Sequence, residues 1–149
     1  MLNNLEAEDT MTALAKFKSG TMGAIEATTA VRPKDFEASM SVIGEKGMAV
    51  IGGIALNKID IWNFIKPLNE DKDIPKQYSV EVPTGYGLSH GPLLQEIVNR
   101  LTEGNIKPPI SGKDSLPAIS LVQALYVSDE YRSWIKLNDK LISNRLGKK

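Results

Sequence analysis

The sequence predicts an α+β fold, a mainly antiparallel open sheet with two helices packed on one face. Period-two alternation broken by tight-turn signals fills the first half of the chain, which is how hairpin strands read. Helical patterning is concentrated between residues 89 and 127, and strands segregated from helices argue for an antiparallel sheet.

The strands come first. Thr10 to Lys18 alternates, with Met11, Ala13, Ala15 and Phe17 on one face and Thr12, Leu14 and Lys16 on the other. Ser19-Gly20 signals a tight turn, and Thr21 to Val31 returns as the second arm of a hairpin. Arg32-Pro33-Lys34-Asp35 breaks the pattern as a loop. Phe36 to Ile43 alternates again, Gly44-Glu45-Lys46-Gly47 turns the chain, and Met48 to Ile51 follows. Gly52-Gly53 permits a sharp bend or bulge before a strand over Leu56 to Phe64. Lys66 to Lys76 is charged and Pro-bearing, an expected exposed loop, and Gln77 to Val82 is read as one more strand.

Two helices follow. Ser89-His90-Gly91-Pro92 reads as a helix start, with Pro92 suited to a first helical position, where its missing N–H costs nothing. Leu93, Leu94, Ile97, Val98 and Leu101 share one side, and Gly104 suits a left-handed residue after the last turn. Between Pro117 and Val127 nearly every residue is apolar, so a second helix over Leu116–Val127 is expected to be buried nearly all round. Ser133 to Leu137 reads as a short closing strand. Residues 138–149 form a polar tail, expected to fray.

Composition excludes several classes. At 149 residues and 42% hydrophobic, the chain fits one globular domain with a core. Eighteen basic residues balance eighteen acidic ones, so no bulk field favours nucleic acid or an anionic membrane. The absence of cysteine removes thiol chemistry and disulfides and fits a cytoplasmic location. A single histidine leaves the usual His-based metal sites out of reach, and no metal site is expected. No apolar run approaches the roughly twenty residues of a membrane span, and Met1-Leu2-Asn3-Asn4-Leu5 lacks the layout of a signal peptide.

The sheet is expected to be apolar on both faces, because Leu14, Ile25, Met40 and Trp62 cannot all share a core with Phe17, Val42 and Ile59. Two helices can cover one side only. The other is expected to pair with a second copy of the chain, making a homo-oligomer, unless the Lys66–Lys76 loop covers it.

No self-sufficient catalytic motif is present: no Gly-x-Gly-x-x-Gly, no phosphate-binding loop ending in Lys-Ser/Thr, no Gly-x-Ser-x-Gly. The order of smaller signatures carries more. Glu8-Asp9-Thr10 opens the first strand, and Phe17-Lys18-Ser19-Gly20-Thr21-Met22-Gly23-Ala24-Ile25-Glu26 forms its hairpin. Ile43-Gly44-Glu45-Lys46-Gly47, His90 and Pro108-Pro109-Ile110-Ser111-Gly112-Lys113-Asp114 come next, then Ala124-Leu125-Tyr126-Val127-Ser128 and Trp134-Ile135-Lys136-Leu137. This order resembles the C-terminal domain of the Gfo/Idh/MocA oxidoreductases over Glu8 to Leu137. Within that family it is similar to the dehydrogenases of nucleotide-linked amino sugars, of the UDP-N-acetyl-2-amino-2-deoxyglucuronate dehydrogenase type.

The resemblance implies that residues 1–137 are the α/β substrate-side and oligomerisation domain of a larger enzyme. An N-terminal Rossmann domain, absent from these residues, would bind NAD or NADP. Hydride would pass between the nicotinamide and a sugar hydroxyl carbon. The family's catalytic lysine lies in the N-terminal domain, and its Asp/Asn and His partner precede the Glu-Asp-Thr strand. Nothing in Met1 to Ala7 matches them, so no catalytic or cofactor-binding residue is expected here, and the isolated chain is expected to be inactive. A free-standing, non-catalytic binding or assembly module is the alternative.

Three residues are candidate substrate contacts. His90 stands at a helix N-terminus after a Gly-rich turn, where backbone donors meet the phosphates of a sugar nucleotide; its alternative role is capping. Tyr86 can stack on a sugar or base, or lie as a lid on the core. Arg32 can pair bidentately with a carboxylate or phosphate, or be an ordinary surface arginine.

Overall fold

A computed structural model describes residues 8–137 and 141–145. Its elements are β1 (Thr10–Lys16), β2 (Met22–Thr28), β3 (Met40–Gly44), β4 (Gly47–Gly52), β5 (Lys58–Phe64), α1 (Ile74–Tyr78), α2 (His90–Thr102) and α3 (Gly112–Tyr131). The class is α+β with open antiparallel sheets, as expected. Among the described residues the strands form two sheets, β1-β2 and β3-β4-β5. The chain divides into two compact units, one holding residues up to Ala30 and from Arg100 onward, the other Val31–Asn99.

In the first unit, β1 and β2 pair so that Met11 faces Ala27, Ala13 faces Ile25 and Ala15 faces Gly23. Met11, Ala13, Ala15 and Ile25 are half-buried, while Leu14 points the other way, opposite Ala24, and is 62% exposed. The turn closes where the Phe17 N–H donates to the Thr21 carbonyl and the Gly20 N–H to the Phe17 carbonyl. Val122, Leu125 and Tyr126 of α3 line a small cavity together with Met11 and Ala27, which places that helix on the half-buried face.

α3 begins earlier than the apolar run suggested. Asp114 accepts hydrogen bonds from both the Ser111 N–H and hydroxyl at 2.8 Å, a capping arrangement that starts the helix at Gly112. It also corrects the expectation of all-round burial. Only Ala124 and Val127 are fully buried, and Leu116, Ile119 and Val122 are about half exposed. An apolar helix needs neighbours on every side to be buried all round, and within this unit they lie against its C-terminal half. α2 ends as its sequence implied: Gly104 takes a positive φ of 76°, and the Asn105 N–H reaches back to the Arg100 carbonyl.

Ser133–Leu137 is not a strand, since no ladder partner runs beside it among the described residues. The tail is also not wholly frayed. The Ser143 N–H donates to the Gln123 side chain at 2.8 Å, and the Ser143 hydroxyl donates to Glu130 at 2.6 Å. The Arg145 N–H donates a second bond to Glu130, its guanidinium pairs with Asp129, and Ser143 is buried.

In the second unit, register sorts the apolar residues by face. Met40 and Val42 share a face with Ile51, Ala49, Trp62 and Phe64, whereas Ile43, Met48, Val50 and Ile61 share the opposite one with Ser41 and Asn63. A bulge between Val50 and Ile51 is absorbed where Asp60 stands in β5. Trp62 packs edge-on against Phe64 and donates its indole N–H to Asp71 at 2.8 Å. The loop expected at 66–76 therefore contains structure, a 3-10 turn over Asn69–Lys72 and then α1, alongside β5. The strand expected over Gln77–Val82 is absent: Ile74-Pro75 opens a short helix that runs through Tyr78. The Ser79 hydroxyl and the Val80 N–H instead bond β5 and the turn before it.

Candidate functional site

Arg32, Tyr86 and His90 all fall in the Val31–Asn99 unit, and the loops of the first two meet beside the β4–β5 turn. Asn57 organises the meeting. Its side-chain oxygen accepts from the Ala55 N–H at 3.1 Å, its amide donates to the Val80 carbonyl at 2.6 Å, and its own carbonyl accepts from the Val80 N–H. A side chain that satisfies two backbone groups at once fixes the β4–β5 turn to the segment arriving from α1. Lys58 and Glu81 add an exposed ion pair at 2.8 Å, whose hydrogen bond raises the Lys58 pKa.

The next link joins the segments that carry two of the candidates. Gly85 donates its backbone N–H to the Asp35 carboxylate at 3.3 Å, which ties the Arg32–Asp35 loop to the Thr84–Gly87 turn. That turn is closed by the Gly87 N–H bonding to the Thr84 carbonyl. Tyr86 stands at its tip, 82% exposed. Arg32 bends its guanidinium back to the Val31 carbonyl at 2.7 Å. His90 opens α2 as an exposed residue, with no acid in the helix's first turn to offset the positive end of its dipole. The structure thus brings the Arg32 and Tyr86 loops together and sets His90 a few residues beyond. Asp35 and Asn57 escaped the sequence reading, because loop Asp and Asn are usually solvated turn residues and only long-range contacts distinguish these two.

A second polar cluster lies in the other unit. Tyr126 of α3 donates its hydroxyl to Glu8 in a short hydrogen bond. That bond, ahead of the backbone and of Arg145, holds the Glu8 carboxyl below its ordinary range; it also raises the Tyr126 phenol. The adjoining cavity, lined by Glu8, Asp9, Thr10, Met11, Thr28, Val122 and Tyr126 among others, is about 240 Å³. That is smaller than the roughly 300–1,000 Å³ of ordinary ligand pockets, and too small to enclose a sugar nucleotide. The sequence offered one clue: a tyrosine hydroxyl in an apolar helix needs a partner.

Among the described residues no group of three or more His, Asp or Glu side chains could hold a metal. Among the described residues, no Gly-rich turn joins a strand directly to a long helix.

The model of the oxidoreductase family C-terminal alpha/beta domain matches residues 2–137. The chain belongs to the Gfo/Idh/MocA oxidoreductase family. Two solved relatives sharpen the likeness. The WlbA dehydrogenase from Bordetella pertussis, in complex with NADH and UDP-GlcNAcA, is 32% identical over 89% of this chain, with a TM-score of 0.75. The WlbA dehydrogenase from Chromobacterium violaceum, with the same two ligands, is 31% identical over 91% of the chain, with a TM-score of 0.72. The chain spans 38% and 37% of those proteins' lengths. No curated protein matches it. Among the described residues, no helix of this family member is long and apolar enough to cross a membrane.

Proposed function

We propose that this domain forms the substrate side of a cytoplasmic NAD- or NADP-dependent dehydrogenase acting on a sugar nucleotide, with hydride transfer at a sugar hydroxyl carbon. The observation that carries the reading is the joining of the Arg32 and Tyr86 loops next to the start of α2, which gathers a stacking surface, a cation and helix-end donors. The likeness to WlbA dehydrogenases crystallised with NADH and UDP-GlcNAcA supports the substrate class. The nicotinamide belongs to an N-terminal Rossmann domain, which would supply hydride acceptance and the acid–base groups. The residues here bind and orient: His90 and the helix N-terminus face the diphosphate, Tyr86 stacks on the sugar or base, and Arg32 pairs with an anionic group.

The domain also carries self-association, through the sheet face bearing Ile43, Met48, Val50 and Ile61. Its apolar side chains stand beside Ser41 and Asn63, with Lys58 and Asp60 confined to the Gly52 end, and Ile43, Met48 and Ile61 are exposed. The 66–78 segment engages Trp62, on the opposite face, so it leaves this one open.

His90→Ala in the full-length enzyme tests the site. It is expected to raise KM for the sugar nucleotide about 10- to 100-fold, the loss of one charge-assisted hydrogen bond, with kcat little changed. A large fall in kcat at unchanged KM would assign His90 to proton transfer instead. Calorimetry on residues 1–149 tests the division of labour, and micromolar binding of NAD or NADP to them would overturn it.

A further inference from the structure

We infer that Asp35 is a positioning residue for the substrate-contact turn, acting through Gly85 and touching no substrate itself. The inference rests on the proposed site and names what holds that site in shape. Asp35 lies fifty residues from Gly85 in sequence, yet its Oδ2 accepts the Gly85 N–H at 3.3 Å. The two fit closely. A Cβ on Gly85 would come within 3.0 Å of that oxygen and 3.4 Å of the Ile54 carbonyl oxygen, tighter than or at the edge of ordinary contact. A side chain at 85 would push the carboxylate back by a few tenths of an ångström and lengthen this bond.

The remaining bonds described for the turn are local: Gly87 to the Thr84 carbonyl at 3.1 Å and the Tyr86 N–H to the Thr84 hydroxyl at 3.4 Å. These fold the turn on itself and do not fix where it stands. Asp35 does, and because it belongs to the loop of Arg32, one carboxylate sets the spacing between that loop and Tyr86. Loss of the tether would leave the chemistry intact and spread the turn over positions of which few can bind.

The experiment compares Asp35→Ala, Asp35→Asn and Gly85→Ala, with Tyr86→Ala and His90→Ala as reference variants in the full-length enzyme. Amide hydrogen exchange at Gly85–Gly87 is measured alongside kcat and KM, with UDP-GlcNAcA and NAD as probes. Asp35→Ala is expected to speed exchange at Gly85 and raise KM about tenfold, with kcat within twofold of wild type. Asp35→Asn keeps an acceptor oxygen and should recover most of both effects; Gly85→Ala should reproduce Asp35→Ala. Unchanged exchange in Asp35→Ala would overturn the tether, and faster exchange with unchanged KM would overturn its positioning role. If Tyr86→Ala and His90→Ala shift KM while Asp35→Ala does not, this inference alone fails. If none of the three shifts KM, the proposed site fails with it.

Discussion

Ile43→Asp should dissociate the domain into folded monomers. Ile43 lies on the edge strand β3 of the apolar sheet face, opposite Met48, and it is 79% exposed. Fully burying an isoleucine is worth about 1.5–3 kcal/mol, so a partner covering it gains about 2 kcal/mol. Two-fold pairing counts the residue twice, giving about 4 kcal/mol per dimer, which is about a thousand-fold in dissociation constant. Desolvating two aspartates adds to the penalty. In the monomer the same side chain sits in water, where substitution costs within about 0.5 kcal/mol. Sedimentation equilibrium at micromolar concentrations reads the association, and far-ultraviolet circular dichroism confirms the fold. A wild-type chain monomeric at high concentration, or an Ile43→Asp chain that dimerises as tightly as wild type, would refute the reasoning.

Other expectations follow from single contacts. Tyr126→Phe should flatten the pH profile of stability at both ends. Glu8 is held below its ordinary 4.5, so its contribution is present above that value and lost as pH falls through the folded value; Tyr126 is raised above 10.0, so its contribution is present below that and lost as pH rises through its folded value. Both effects are small because Glu8 is exposed to solvent screening, and urea titrations across pH would show them. Glu130→Ala removes the acceptor for the Ser143 hydroxyl and the Arg145 N–H, and should lower stability by about 1.5–3 kcal/mol in urea unfolding. Gly47→Ala should cost more than about 4 kcal/mol and disrupt the three-stranded sheet. Its Cβ would stand within 2.8 Å of the Phe64 Cα and closer still to the Asn63 carbonyl oxygen, backbone that cannot move aside. Loss of dispersed amide resonances for β4 and β5 would report it.

The sequence by itself determined the α+β class, the positions of the five strands and the two long helices, and the family. Alternation, turn glycines and caps are local signals, and the matching helix end at Gly104 shows how well a left-handed residue is announced by its own chemistry. It also determined that apolar residues outnumber what one core can hide. Tertiary structure decided the rest. It split the strands into two sheets and turned Gln77 and Tyr78 into helix, because a segment becomes strand only if a ladder partner is beside it. It placed Leu14 outward and Ile25 inward through pairing register, which alternation alone leaves open by one residue. It gave Asp35 to Gly85, Asn57 to Val80, Tyr126 to Glu8 and Glu130 to Ser143. These polar partners lie 13 to 118 residues apart, and a hydrogen bond is specified by geometry at the two ends, not by any pattern between them.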